Sequence, residues 1–418
     1  MRNIFDQYSQ PENKLTHSLA SCLYEDKKLL ESFLKKFCSG FFIKTQNINI
    51  EQQTIPGLIQ DSVDESQKKG LPDALIFDDE KCLIIESKVS STLTSDQLRR
   101  HENTIRRRGF EQIRGIGIVV DIVPKVKLDN WIQITWNDVY SWSYKEKNKS
   151  EWAKKLLDYF NVLENNMVED EYLKEGSITE FTGIHFDDEN PYSYREGKRQ
   201  LRLLLKKLKS NKILKEELGI NLNHKGRGGI KKVGNLWDYL IFDTGVKNKS
   251  FTDEPHLTIG VGPDFIEGNL TIPYRIKGRT KKNFYSLSWK SFRKIIENIA
   301  NNFHNEFGIS NSFKPQIIIA QRRYPSQSSP AIHDARLDFD IRTAFKDLSS
   351  KLKPTQKKQE EWLKLVYDIN NNKKSNIQFQ VGARFYFNKN SLVNNKDADK
   401  VLCKSFLACK PLIDYLFK

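Results

Sequence analysis

The stretch GLPDALIFDDEKCLIIESKV, residues 70–89, places two short apolar runs on either side of the polar segment DDEK. Branched and aromatic side chains dominate both runs, and so short a connection predicts a β-hairpin with strands over residues 73–78 and 81–89. Three charged residues interrupt this pattern: Asp73, Glu86 and Lys88. Residues two apart in a strand share a face, so Glu86 and Lys88 are expected on one side, with Leu83, Ile85 and Ser87 on the other. Asp73, opening the neighbouring strand, can lie beside them. Two carboxylates so close repel each other, and a divalent cation bound by both relieves the repulsion. Mg²⁺ suits such a pair, because it takes hard oxygen ligands and keeps several waters. A lysine next to it can orient and help deprotonate a water, or neutralise charge that develops on a reacting phosphorus.

The surroundings of the hairpin read as one α/β domain. Residues 9–38 carry Leu15, Leu19, Leu23, Leu29, Leu30, Phe33, Leu34 and Phe37 at near-helical spacing, which predicts one long helix or two short ones. Ser9 and Glu12 have the spacing of a capping box, with Pro11 in the first turn. Residues 51–70 read as an exposed strand and loop. TSDQLRRHENTIRRRGF, residues 94–110, predicts a helix opening at Thr94 or Ser95 and closing at Gly109. GIGIVVDIV, residues 115–123, is a buried strand; WIQITW is another strand, followed by two helices. The order implies a mixed sheet flanked by helices.

Pro72-Asp73 followed by Glu86-Ser87-Lys88, on consecutive apolar strands with helices before and after, resembles the PD-(D/E)xK motif of the restriction-endonuclease-like nuclease superfamily. A second Pro-Asp, Pro263-Asp264, has no acid-x-Lys within the next thirty residues and serves as an internal control. Glu12 is similar to the acidic residue that many members bring from the first helix. Gln97 with His101 resembles the Gln-x-x-x-Tyr element of exonuclease-type members, with His in place of Tyr. The resemblance covers roughly residues 9–165. It implies a restriction-endonuclease-like core and a Mg²⁺-dependent nuclease, with Mn²⁺ as a substitute. Asp73, Glu86, the Ser87 carbonyl and Glu12 would hold the metal, Lys88 would activate water and Gln97 would support the site. His101 is read as a partly buried, satisfied histidine. Arg99, Arg100, Arg106, Arg107 and Arg108, on or just after the motif helix, are expected to meet backbone phosphates.

Composition sets the frame for this reading. The chain has 418 residues, enough for two or three domains, and a net charge of +15. Residues 1–175 hold 25 Lys and Arg against 28 Asp and Glu, whereas residues 176–418 hold 43 against 25, giving −3 and +18. Such a basic region points to a polyanionic partner, because each cation laid on a phosphate releases counterions. No apolar run approaches a membrane span and the first residues carry no signal-peptide pattern, so a cytoplasmic protein without membrane contact is expected. Cys22, Cys38, Cys82, Cys403 and Cys409 occur singly, which suits reduced core thiols rather than metal ligands.

The expected division is a nuclease domain over residues 1–166, a linker over 167–183 and a basic α+β domain over 184–418 that binds nucleic acid, regulates or docks a partner. In the second domain, NHKGRGGIKK at 223–232 brings Lys225 and Arg227 together with three glycines whose backbone could approach phosphates. It lacks the Gly-Lys-Ser/Thr ending of a Walker A loop. HDARLDFDIRTAF is expected as a strand with one charged face, where Asp338 and Asp340 are read as exposed charges rather than a metal pair. The combined reading is a DNA endonuclease, suited by fold-level analogy to bacterial restriction or anti-phage defence. A homo-oligomer or a partner defence protein fits that setting. Its rivals are a nucleic-acid-binding or sensing protein that does not cut, and an effector subunit silent until a partner activates it.

Overall fold

In the computed structural model, the described residues are 5, 8, 10–42, 47–52, 72–123, 125–188, 190–226, 236–244, 250–323, 325, 326, 332–353, 357–372, 376–388 and 390–418. The chain divides into two compact units, Met1–Glu180 and Phe181–Lys418.

In the first unit, residues 10–37 form two helices rather than one: α1, Pro11–Glu25, and α2, Lys27–Phe37. Asp26 separates them, because its carboxylate caps the Lys28 and Leu29 N–H groups and starts the second helix. The expected capping box does not open α1. Gln10 is the N-cap and makes no side-chain cap bond, Ser9 lies outside the described residues, and the Glu12 carboxylate is used elsewhere. Strand β1, Asn49–Gln52, matches the start of the expected exposed strand; residues 53–71 lie outside the described residues.

The hairpin forms as β2, Ala74–Phe77, and β3, Lys81–Ser87. It is followed by α3, Ser95–Arg107, then β4, Gln112–Val119, and β5, Trp131–Thr135. Helices α4, Trp136–Glu146, and α5, Glu151–Glu169, complete the unit. The five strands make one mixed sheet in the order β1-β2-β3-β4-β5. β2 is antiparallel to β3, and β3 is parallel to β4. Two consequences follow for the motif. Ala74 is paired with Ile85, which sets Asp73 level with Glu86, and both stand where the parallel strands β3 and β4 end. Ligands of α/β sheets gather at that edge, where loops diverge and backbone groups are left open.

Part of the stretch expected as a linker is instead built into this unit. Helix α5 continues to Glu169, and Ile178 is buried in the same core as Leu15, Ile85 and Trp136. Glu164, fully buried on α5, accepts hydrogen bonds from the Ile178 and Thr179 N–H groups and from the Thr179 hydroxyl. The polar composition of residues 167–183 therefore serves a buried anchor. Glu164→Ala is expected to cost about 3 kcal/mol by leaving buried donors unpaired. Chemical denaturation checks this, together with new protease cleavage between residues 171 and 180.

The second unit is an antiparallel six-stranded sheet with helices packed on its apolar face. Its strands are β6, Leu236–Ile241; β7, His256–Val261; β8, Phe265–Ile272; β9, Phe313–Arg323; β10, Ile332–Asp340; and β11, Ile377–Tyr386. The order is β10-β9-β11-β8-β7-β6. HDARLDFDIRTAF is strand only as far as Asp340, after which Ile341–Ala344 form a 3₁₀ turn. Asp338 is paired with Lys314 and Arg384, and Asp340 with Arg342, so these carboxylates already have cations. The five cysteines are free and buried, with burial pushing the thiols of Cys22, Cys82, Cys403 and Cys409 up to about 12. Among the described residues no helix is long and apolar enough to cross a membrane.

Candidate active site

Four elements converge on the end of β3. Asp73 arrives from the start of β2, Glu86 and Ser87 from β3 itself, Gln97 and His101 from α3, and Glu12 and Thr16 from α1. Helix α3 is fixed by its Thr94 cap, by buried Leu98 and Ile105, and by a bond from Trp131 Nε1 to Glu102 Oε1 at 2.7 Å. Gln97 and His101 are four residues apart, hence on one face of that helix, and both reach Glu86.

Glu86 is the hub. It is only 2% exposed. Its Oε1 accepts from Gln97 Nε2 at 2.6 Å and from Lys88 Nζ at 2.8 Å, while Oε2 lies 3.2 Å from His101 Nε2. Burial by itself would raise the Glu86 carboxyl; the His101 ring and the Lys88 ammonium outweigh it and hold the group below the usual carboxylate range. Lys88 shows the reverse balance. Burial pulls it down, but the charges of Glu86, Asp73 and Glu12 hold it above its ordinary value.

Asp73 is held differently. Its Oδ2 accepts from the Ser87 N–H at 2.8 Å and the Ser87 hydroxyl at 3.0 Å. Thr16 Oγ1 touches Ser87 Oγ at 2.6 Å and donates to the Glu12 carbonyl, which links α1 to the strand end. Burial and the neighbouring Glu86 charge push Asp73 up to about 6, against the opposing effect of the Ser87 N–H and Lys88. Glu12 spends Oε1 on the Val89 N–H at 2.9 Å, the Ser90 N–H at 3.3 Å and the Ser91 hydroxyl, and keeps Oε2 3.9 Å from Lys88 Nζ.

The fit to a divalent cation is therefore partial. Among the described residues no group of three or more His, Cys, Asp or Glu side chains is arranged to hold a metal ion, so Asp73, Glu86 and Glu12 do not form a three-carboxylate site. Glu12 departs because its carboxylate serves the backbone of the loop after β3. Ser87 acts here through its N–H and hydroxyl. The Asp73–Glu86 pair does fit: Glu86 Oε2 is buried without an aligned hydrogen bond, and Asp73 is raised partly by like charge. A hard cation supplies what both lack.

The sequence-expected residues Asp73, Glu86, Lys88, Glu12 and Gln97 all come together. His101 and Thr16 join them. Both were signalled only by spacing, each lying four residues beyond a site residue on the same helix. Arg99, Arg100, Arg106, Arg107 and Arg108 are exposed on or just after α3, with Arg108 3.4 Å from Glu51. Lys225 is exposed in the second unit, and Arg227 lies outside the described residues.

No curated protein matches the chain. Residues 2–161, which carry the hairpin, α1, α3 and every residue of this site, match the model of the PD-(D/E)XK nuclease superfamily, which identifies an N-terminal PD-(D/E)XK domain in this chain.

Proposed function

We propose that the protein is a Mg²⁺-dependent nuclease that hydrolyses phosphodiester bonds of DNA, with Mn²⁺ able to replace Mg²⁺. The observation that carries this reading is the Asp73–Glu86 carboxylate pair with Lys88 clamped on Glu86 at 2.8 Å, at the open end of β3. Asp73 and Glu86 would hold the cation, which when bound supplies Lewis acidity and a more acidic water. Lys88 is an ammonium at neutral pH, because three carboxylates raise it. It therefore acts as a donor to a phosphate oxygen or to the attacking oxygen, and neutralises charge as the phosphorus centre becomes more negative. Gln97 and His101 keep Glu86 in one rotamer, and Ser87 does the same for Asp73. Glu12 fixes the loop that begins at Val89. The exposed arginines of α3 lie on the helix that carries Gln97, which suits contacts to the flanking backbone.

The basic second unit suits the binding of nucleic acid, and joining it to a nuclease domain suits a role in restriction or anti-phage defence. Purified protein incubated with supercoiled plasmid, linear duplex, single-stranded DNA and RNA, in Mg²⁺, Mn²⁺ or EDTA, tests the reading. Cleavage of DNA that EDTA abolishes is the expected result. Binding without cleavage in either metal, also after addition of partner proteins, would replace the proposal with that of a non-cutting binding protein.

A further inference from the structure

Immediately beyond Lys88 the first unit contains a cavity of about 480 Å³. It is lined by the loop Val89–Leu93, the one whose backbone Glu12 holds, by the end of β4 with the residues after it, and by Gln133 of β5. Its far wall is Glu171–Ser177. That wall lies past residue 161, where the superfamily match ends.

The wall starts where helix α5 stops and is tied to it by hydrogen bonds. The Tyr172 and Leu173 N–H groups both bond the Met167 carbonyl, and the next residues are anchored through Ile178 and Thr179 on buried Glu164. Glu171 sits at φ 61°, the one non-glycine residue at positive φ among the described residues. This is the left-handed residue of a Schellman stop to α5, with the Glu171 N–H on the Val168 carbonyl and the Tyr172 N–H on the Met167 carbonyl, and the stop fixes the direction in which the chain leaves the helix. The chain after it presents Tyr172, 64% exposed, to the cavity, and Val123, 85% exposed, also lines it. The interior mixes apolar side chains, Val89, Leu93 and Val119, with the polar groups of Ser90, Thr92 and Gln133, and Lys174 joins from the wall. An aromatic ring beside apolar side chains with polar groups among them, next to the proposed site of phosphodiester cleavage, suits one ligand chemistry: a nucleobase.

Resting on the nuclease reading, we infer that this cavity receives the base beside the scissile phosphate, stacked on Tyr172, and that the substrate is a strand whose base at that position is unpaired. A base inside a duplex is stacked on both sides and paired, so it reaches such a cavity only when the strand is single or opened. Stacking on one aromatic ring is worth about a tenfold in affinity, and more in favourable cases.

The test begins by mapping the cut that the wild-type protein makes in a single-stranded oligonucleotide, then placing an abasic nucleotide on each side of it in turn. Wild type is expected to lose about tenfold in kcat/KM on one of the two abasic strands. Tyr172→Ala is expected to show the same loss on the intact strand through KM, with kcat nearly unchanged, and no further loss on the abasic one; Tyr172→Phe retains wild-type behaviour. A duplex paired at the cut is expected to be cleaved more slowly than one mismatched there. Equal cleavage of intact and abasic strands by wild type, or an unaffected Tyr172→Ala, would overturn the inference. If wild type cuts nothing in any metal, the nuclease reading fails separately. Then 2-aminopurine fluorescence in EDTA decides the base site: quenching by wild type and not by Tyr172→Ala supports it, and equal signals overturn it.

Discussion

Asparagine in place of Asp73 is expected to abolish cleavage and, in EDTA at neutral pH, to make the protein more stable. The two effects share a cause. Asp73 is buried beside Glu86, and burial and that neighbouring charge push its carboxyl from an ordinary 3.8 up to about 6. A folded pKa above the unfolded one means that the folded chain holds the proton longer. Stability then falls as pH rises from about 4 to about 6 and stays reduced above that window. A shift of this size corresponds to about 3 kcal/mol at neutral pH. Asparagine removes the charge while its carbonyl oxygen still accepts from the Ser87 N–H. The difference in melting temperature between Asp73→Asn and wild type should therefore be small at pH 4 and widen by pH 6 to 7. Activity moves the other way. Losing an anionic oxygen proposed to hold the cation is expected to cost about a thousandfold in rate. A variant less stable than wild type at pH 7 would mean that the carboxylate pair is not in electrostatic conflict.

Gly382→Ala is expected to produce the largest loss of stability in the second unit. Gly382 lies on β11 between Asn269 of β8 and Gln316 of β9. A Cβ there would stand 2.1 Å from the Gly268 carbonyl oxygen and 2.6 Å from the Asn269 Cα. Both are backbone atoms in the middle of the sheet, and no rotamer change can move them. Asn269 and Gln316 are 1% and 0% exposed, so neighbouring side chains have no free space to take up the strain. Relief requires the strands to separate, at a cost of about 3 kcal/mol or more. Denaturant unfolding monitored by tryptophan fluorescence reads this directly. A stability within about 0.5 kcal/mol of wild type, the range of neutral surface changes, would show that β11 is not held this closely.

What the sequence disclosed was mostly local. The hairpin, the Thr94 cap of α3 and the strand after it follow from alternation, capping and β-branched content, all of which act within a few residues. The acids and the lysine were visible because charged residues interrupt apolar strands. What stayed hidden depends on distant partners. Glu12 has the spacing of a helix cap, yet its carboxylate meets the Val89 N–H, 77 positions away, and no local pattern encodes that choice. His101 looks like an ordinary buried histidine until α3 is laid against β3. Residues 171–180 have the polar composition of a linker, and only the fold brings them to Glu164. The row Asn269–Gly382–Gln316 requires a strand order unlike the chain order.

The central claim is that the end of β3 carries the chemistry. It is tested most directly by the initial rate of metal-dependent DNA cleavage by Lys88→Ala beside wild type, with matching melting curves for the two proteins. Lys88 is clamped to Glu86 at the strand end, so the account predicts a rate lower by about a thousandfold, the scale of a lost transition-state donor. A folded Lys88→Ala protein that cuts at the wild-type rate would contradict it, and would move the active site away from the hairpin.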